Sequence, residues 1–376
     1  MELRVPDYYE QFQCIASACQ DNCCIGWEID IDEESEQRYR QVTGSFGMWL
    51  RDSIQNQGEL SCFRLVGERC AFLNDENLCD LILNLGVDAL CQVCRDHPRF
   101  TETFGALRET GVGLCCEEAA RLLLSHEEAI AFCARETEEE PVMDECDPER
   151  LRVMLEVRTV LFTVMQNRSI AMAKRMYMAL ELGEAVQSAL ETGDLARISA
   201  VLREEHRKIE MQPEQTDVIS LMKRWVEVFS QYEAINESWT ALLNQTKQLL
   251  SRPEKEVRER VRQFRAAMSA SAHEWEHLMV YFLFRYFLKS VYTGDCLTPI
   301  QLAVVSCILI GLLDLTCFME QGGVAQEGRI RVAGLYSKEM EYSEENWAAL
   351  EEAMIFDSPF FSGQIKAILS QFRGRD

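Results

Sequence analysis

Apolar residues recur every three to four positions through most of the chain after residue 147, which is the period of an amphipathic helix. Asp147 and Pro148 supply an N-cap and a first-turn proline, and Ser343 is a second N-cap candidate. Ser251 and Glu254 have the spacing of a capping box. The pattern predicts helices over residues 149–166, 169–190, 194–207, 251–268, 298–319 and 344–354, with a glycine pair ending the fifth.

The first 135 residues lack this period. Gly, Asn and Asp separate short apolar groups there, which indicates loops with short helices between them. One longer helix is predicted over residues 117–134, and a weak alternation at 328–335 predicts a short strand. An acidic run ending at Pro141 marks a linker. We therefore predict a mainly α protein with a loop-rich, cysteine-clustered metal-binding region at 1–135, an acidic linker at 136–148 and a helical domain at 149–376.

Two apolar stretches, at residues 278–291 and 302–319, have to be weighed as membrane spans. The first is short and carries Arg285 and Lys289. The second contains Asp314, and a carboxylate in mid-span costs about 2.5–3.5 kcal/mol. We predict that both stretches are buried core helices and that the protein has no membrane segment.

The formal net charge is −24, and no lysine precedes Lys174. A nucleic-acid partner needs a basic face, so this charge argues against one. An acidic surface suits a basic protein or a cationic group as substrate, although the same acids equally serve solubility. No G-x-G-x-x-G, P-loop or G-x-S-x-G motif is present, so no motif predicts a nucleotide site or a serine nucleophile.

The cysteines carry the strongest chemical signal, because 11 of the 16 lie in the first 116 residues. Clustered thiolates bind zinc or iron–sulfur clusters, whereas structural disulfides need an oxidising compartment. The start of the chain has no basic segment, apolar stretch or cleavage site of a secretory signal, so we expect a cytoplasmic protein with reduced or metal-bound thiols. The isolated cysteines are expected to be small buried apolar residues; they are Cys133, Cys146, Cys296, Cys307 and Cys317.

His273, Glu274 and His277 form an H-E-x-x-H sequence, the pattern by which a helix presents two histidines to zinc. Glu276 places a charge inside this motif, and no histidine follows His277 to act as a further ligand. We therefore favour an ordinary solvated helix face over a zinc protease at this position.

A longer pattern begins with Cys14, Cys19 and the run Asp-Asn-Cys-Cys-Ile-Gly-Trp at residues 21–27. It continues with Cys70-Ala71-Phe72-Leu73, Leu78-Cys79, Cys94-Arg95 and Cys116-Glu117-Glu118, and ends with Tyr336-Ser337-Lys338-Glu339, Tyr342-Ser343 and Asn346. Over nearly the whole chain this pattern resembles the flagellin lysine-N-methylases, and the cysteine signature is its specific part.

The resemblance implies methyl transfer to lysine ε-amines of flagellin or another lysine-bearing protein, with S-adenosyl-L-methionine as the methyl donor. It also implies an iron–sulfur cluster, expected to be 4Fe–4S, with zinc as the alternative metal. By position, the implied ligands are Cys14, Cys19, Cys23, Cys24, Cys70, Cys79, Cys94 and Cys116. No role follows for Cys62, Cys91 or Cys115, and no catalytic base is identified. A non-catalytic zinc-binding interaction module remains the alternative function.

Overall fold

The computed structural model describes residues 1–57, 60–142, 146–203, 210–211, 216–323 and 325–371. Helices dominate these residues, which confirms the prediction of a mainly α protein. The strands are β1 (Glu2–Pro6), β2 (Asp30–Ile31), β3 (Ile54–Gln57), β4 (Leu60–Phe63), β5 (Leu65–Val66), β6 (Arg69–Cys70), β7 (Arg99–Phe104), β8 (Leu107–Val112) and β9 (Phe132–Glu136).

The helices fall into two groups. Short ones accompany the strands: α1 (Glu33–Gln41), α2 (Gly44–Asp52), α3 (Asp80–Leu85), α4 (Gln92–Asp96) and α5 (Glu117–Ser125). The second group follows the sheet in the sequence and includes the longest helices: α6 (Pro148–Met165), α7 (Met172–Glu191), α8 (Leu195–Arg203), α9 (Val218–Phe229), α10 (Glu237–Leu250), α11 (Glu254–Ala267), α12 (His273–Tyr286), α13 (Ser290–Thr293), α14 (Leu297–Gln321), α15 (Gln326–Met340), α16 (Glu344–Phe356) and α17 (Ser362–Gln371).

The first strand lies inside the largest sheet, whose order is β7-β8-β1-β9. Strand β1 runs parallel to β8, with Glu2 opposite Leu107, and antiparallel to β9, with Glu2 opposite Glu136. These pairings close residues 7–131 into one large loop. Two smaller sheets, β2-β4-β3 and β5-β6, lie within that loop.

The larger of two hydrophobic cores is built around α14, which packs against α7, α10, α12, α15 and α16. This helix is long and apolar enough to cross a membrane, but 72% of its apolar window is buried inside the protein. It is therefore a core helix, as predicted, and Asp314 is buried with it. Side chains of the four-stranded sheet, including Phe104, Leu107 and Val112, belong to the same core.

A smaller core holds the cysteine-rich region together. Its buried residues are Ile29, Ile31, Tyr39, Leu50, Phe63, Cys70, Phe72, Leu73, Leu81 and Cys91. Phe72 is central, with ring-centroid distances of 4.8 Å to Trp49 and 5.1 Å to Phe63. We call residues 24–97, which surround this core, the lobe. The body is the described part of residues 1–12 and 98–371, and residues 13–23 between them are the cysteine loop.

Several predicted helix ends are confirmed by their capping contacts. The Asp147 carboxylate accepts a 2.9 Å hydrogen bond from the Glu149 amide at the start of α6. The Ser343 hydroxyl accepts one from the Asn346 amide at the start of α16. Helix α14 ends at Gly322, whose φ of 70° is the left-handed conformation that glycine adopts without strain. The predicted continuation of α8 to residue 207 lies outside the described residues.

Two predicted secondary-structure elements, one helix and one strand, are wrong. The helix predicted over residues 117–134 stops at Ser125, because the Asp7 carboxylate binds the Ala131 amide and the chain then pairs as β9 with β1. The segment predicted as a strand at 328–335 lies inside α15. Ile330, Ala333 and Ser337 of this helix are buried at helical spacing, so its apolar residues follow a helical rather than a two-residue period.

The predicted capping box at Ser251 is also absent. The Ser251 hydroxyl donates to the Lys247 carbonyl oxygen at 2.8 Å, at the end of the preceding helix. Pro253 occupies the N-cap of α11, where it has no side-chain acceptor to offer.

The hydrophobic packing divides the chain at a different place from the predicted linker at 136–148. The buried Glu109 carboxylate on β8 pairs with the Arg158 guanidinium on α6, with a 2.6 Å bond between Oε2 and Nη1. Strands before the linker and helices after it therefore share one core, while the lobe has a core of its own. The domain boundary at residues 136–148 stays a prediction.

Candidate thiol-ligand site

Five cysteines gather around the core of the lobe, and we call them the lobe set: Cys24, Cys70, Cys79, Cys91 and Cys94. Cys70 and Cys91 belong to the core itself, and the other three pack against it. The Cys70 amide donates a 2.9 Å hydrogen bond to the Cys24 carbonyl oxygen, which joins the start of the lobe to β6. The hydrogen bond with the Cys23 thiol and burial raise the pKa of Cys24, and the charges of Cys70 and Cys79 add to this effect.

A second group lies where the cysteine loop meets the body, and we call it the junction set: Cys14, Cys19, Cys23 and Cys116. Cys116 is the N-cap residue of α5 and packs against the larger core. One carboxylate oxygen of Glu117, Oε2, accepts hydrogen bonds from the Gln20 amide at 2.7 Å and the Asp21 amide at 3.2 Å.

The same Glu117 oxygen accepts a 3.6 Å hydrogen bond from the Cys19 thiol, so the loop is held against the first turn of α5. Burial raises the pKa of Cys116 to about 11, and the neighbouring charges of Cys23 and Cys14 add to this effect. Burial likewise raises the pKa of Cys19 to about 12, with the Cys116 charge as a further contribution. Glu117 therefore holds the loop that carries Cys14, Cys19 and Cys23 next to Cys116.

Two thiol pairs shift each other's pKa, one pair across the two sets and one within the lobe set. The hydrogen bond from the Cys24 thiol and the positive charge of Lys338 together lower the pKa of Cys23 to about 7, against the opposing effect of burial. The hydrogen bond between Cys91 and Cys94 lowers the pKa of Cys91 and raises that of Cys94. Cys91, for which no role was predicted, thus belongs with the predicted ligands.

Lys338 connects the cysteine loop to the body. Its ammonium group on α15 pairs with the Asp21 carboxylate in the loop. Beside it, the His97 ring lies between Trp27 of the lobe and Tyr342 of the body, at centroid distances of 5.9 and 6.1 Å. Burial lowers the pKa of His97 to about 4, with Lys338 as the second cause, and its Nε2 has no hydrogen-bond partner among the described residues.

A buried polar network lies behind Tyr342. The Glu341 carboxylate accepts hydrogen bonds from Tyr286 at 2.8 Å and Tyr281 at 3.0 Å, and pairs with Arg285 at 3.1 Å. The Tyr281 hydroxyl also accepts from the Leu114 amide at 3.3 Å, next to Cys115. The network therefore fixes α12 and α15 against the strand end that leads to the junction set.

The predicted ligands fall into the two sets, and the remaining cysteines are dispersed. Burial raises the pKa of Cys62, whose charged neighbours are Glu28 and Asp30. Cys115 is buried beside Tyr342, and burial raises its pKa to about 12. Cys296 and Cys307 are buried core residues, as expected, whereas Cys133 is exposed on β9 and corrects that expectation.

The donors suit a soft metal, because thiolates are the ligands of zinc and of iron–sulfur clusters. In the described part of the chain, however, no three His, Cys, Asp or Glu side chains already converge at metal-binding distance. The two sets thus hold donor atoms of the right chemistry near one another, and their thiols would have to reorient to bind a metal.

The H-E-x-x-H sequence has other partners. The His277 ring nitrogens lie 3.0 Å from the Leu123 carbonyl oxygen and 2.9 Å from that of Glu128, so both are already engaged. The Glu274 carboxylate binds Arg329, with a 2.6 Å bond to its Nε. His277 and Glu274 are buried rather than solvated, which corrects the predicted exposed face, and neither is available to zinc.

The fold and site define a class of protein in which a cysteine-rich lobe with soft-metal donors packs against a helical body. The model of the FliB lysine N-methylase C-terminal domain matches residues 158–362, more than half of the chain, and the chain belongs to this family.

Curated relatives match over a shorter stretch. The chain is 28% identical over 135 residues to a lysine-N-methylase of Salmonella typhimurium, which is 34% of this chain and 33% of that protein. It is 28% identical over 135 residues to the flagellar biosynthetic protein FliU of Salmonella muenchen, covering 34% of this chain and 79% of that protein. The chain thus spans about a third of the length of the first relative. No solved structure matches it significantly.

Proposed function

We propose that the protein is a lysine N-methyltransferase that acts on flagellin or a similar lysine-bearing protein. S-adenosyl-L-methionine is the proposed methyl donor, and an iron–sulfur cluster held by the clustered cysteines is the proposed cofactor. The observation that carries the proposal is the family match over residues 158–362. The names of the relatives, lysine-N-methylase and a flagellar biosynthetic protein, support the reaction and the substrate class.

The acceptor must be a neutral amine, because an ammonium group has no lone pair to attack a methyl group. Lysine has a pKa near 10.4, so deprotonation at pH 7 costs about 5 kcal/mol. A net charge of −24 attracts the lysine-bearing segment, and a site of low polarity would then lower the pKa of the amine.

The position of the thiols supports a link between the cofactor and the reaction. The family match covers α15, whose Lys338 pairs with Asp21 in the cysteine loop. In this proposal the helical part matched by the family model holds the cysteine loop in place. The proposal includes a cytoplasmic location, since free thiols persist in a reducing compartment.

The test is co-expression of the full chain with a flagellin, followed by mass spectrometry of the flagellin peptides. We expect added methyl groups on lysine, and labelled methyl groups when S-adenosyl-L-methionine carries the label. Unmodified flagellin in the presence of metal-loaded, folded protein would contradict the proposal.

Lys338→Met sharpens this test, because it removes the cation that holds the cysteine loop to the body. We expect it to lower methylation strongly. Lys366→Met is the matched control, since Lys366 pairs with Glu181 at 2.6 Å within the body, far from the cysteines in the sequence. The alternative, a non-catalytic zinc module, predicts colourless protein with bound zinc and no methylation in any variant.

A further inference from the structure

We propose that the lobe is a hinged unit, and that Glu117 and Lys338 form a latch that holds the cysteine loop, and with it the lobe, against the body. This movement goes beyond the proposed function, since it depends neither on methyl transfer nor on a bound metal. Two features carry it: a narrow connection between lobe and body, and a polar attachment of the cysteine loop to the body.

The lobe and the body are packed separately. Sheets β2-β4-β3 and β5-β6 lie wholly in the lobe, and sheet β7-β8-β1-β9 lies wholly in the body. Within the lobe, α1 packs against α2, α2 against β3 and α4 against β2. Each part also has its own hydrophobic core. The lobe can therefore change its position as one unit, without breaking a sheet or opening a core.

The chain passes between the two parts at two neighbouring places. It leaves the body after Phe12, which belongs to the larger core, and returns between His97 and Pro98. On the body side, the Arg99 guanidinium lies 5.2 Å from the centre of the Phe12 ring. On the lobe side, the rings of Trp27 and His97 have centroids 5.9 Å apart. The two crossings thus run side by side, and so narrow a connection permits rotation.

The return crossing is the pivot of this rotation. The His97 amide donates a 3.0 Å hydrogen bond to the Val93 carbonyl oxygen inside the lobe. The Pro98 carbonyl oxygen accepts a 2.7 Å hydrogen bond from the Gly113 amide inside the body. Hinges are a few residues at the ends of ordered elements, where the changes in φ and ψ are absorbed. Backbone order reaches both sides of the His97–Pro98 junction, which places the pivot there.

The cysteine loop is attached to the body by polar contacts. None of residues 13–23 is buried, and none belongs to or packs against either core. The Glu117 carboxylate accepts the hydrogen bonds from the Gln20 and Asp21 amides, and Lys338 pairs with the Asp21 carboxylate. Polar contacts at a partly exposed site can be replaced by contacts with water at low cost. The latch can therefore open while both cores stay closed.

The two latch residues stand on helices that are packed together. Glu117 is the first residue of α5 and Lys338 lies in α15, and these two helices are in contact. The body thus offers one fixed surface to the loop. Opening of the latch moves the loop away from α5 and separates the His97 ring from Tyr342, whose centroids are 6.1 Å apart in the closed position.

Hydrogen exchange measured by mass spectrometry on the purified full-length protein tests the latch. Glu117→Ala with Lys338→Met should speed exchange in residues 13–23 at least about tenfold, because it removes the charged acceptor of two amides. Protection in α14 and in the core of the lobe should stay unchanged. Glu117→Gln with Lys338→Arg is the matched control, because it keeps an acceptor oxygen and the positive charge. Equal exchange in the two double variants, or a rise spread over the whole chain, would overturn the latch.

Small-angle X-ray scattering of the same proteins tests the hinge. The radius of gyration should increase in Glu117→Ala with Lys338→Met and stay at the wild-type value in the control, since a released lobe moves away from the body. An unchanged radius in the folded, unlatched variant would overturn the hinge.

Carbodiimide cross-linking of the wild type covers the case in which the unlatched variant fails to fold. The reagent joins an amine directly to a carboxylate, and the side chains of Lys338 and Asp21 are 23% and 43% exposed. We expect a cross-link between these two residues and slower exchange in residues 13–23 of the cross-linked protein. Absence of this cross-link, or exchange that it does not slow, would overturn the latched position.

Discussion

Substitution of Glu109 by glutamine should strongly destabilise the body. The Glu109 and Arg158 side chains are both only 2% exposed and form two hydrogen bonds with each other. Glutamine keeps the shape but leaves the guanidinium without a counter-charge, and breaking a buried pair in this way costs about 3–5 kcal/mol. Urea denaturation followed by far-ultraviolet circular dichroism would measure the change in the free energy of unfolding.

Two further variants make the reasoning testable. Glu156→Gln removes the exposed pair with Arg152, one helical turn apart, and should cost only about 0.3–0.5 kcal/mol. Glu109→Leu combined with Arg158→Met replaces both charges by apolar groups and should recover most of the loss. A loss below about 1 kcal/mol in Glu109→Gln would refute the argument, as would a double variant no better than the single one.

Three other outcomes are expected. Cys23→Ser with Cys24→Ser should remove hydrogen-exchange protection from the lobe while α14 keeps its protection; uniform loss would show one cooperative unit. His273→Ala with His277→Ala should leave bound metal unchanged by elemental analysis, and loss of one zinc would revive the protease. Burial raises the pKa of Asp314, so the native state favours its neutral form and stability falls as pH rises above the unfolded value. The free energy of unfolding in urea of Asp314→Asn, relative to that of the wild type, should therefore increase from pH 5 to pH 8. A difference between the two proteins that does not change with pH would contradict this.

The helical body was predictable because its signals are local. Asp147 and Ser343 cap the next few residues of their own chain segment, and α14 carries an unbroken apolar run. Segment 328–335 was misassigned because several faces of α15 are buried, which obscures the helical period of its apolar residues.

The sheet was not predictable from the same signals. Strands β1 and β9 are five residues each, and their partners lie more than a hundred residues away in the sequence. Short strands of this kind are specified by the pairing itself rather than by a local pattern.

The residues of the candidate site came from the family resemblance, whereas their arrangement could not be read from the sequence. The family resemblance supplied eight cysteines by position, and these are the ones that gather into the two sets. Cys91 had no motif of its own, and its place beside Cys94 depends on the folded lobe. His97 gave no sequence signal either, since its neighbours Trp27 and Tyr342 come from opposite ends of the chain.

The interior position of β1 sets an order of events during synthesis. Its partner β9 is made on the order of ten seconds later at the usual speed of a ribosome, so the sheet cannot close before then. The lobe is complete in sequence before that moment, so its core can form while the sheet is still open. Lys338 lies on α15 and is made later still, so its contact with Asp21 of the cysteine loop can form only after β9 has been made. Closure of the sheet therefore comes between formation of the lobe and attachment of the cysteine loop to α15.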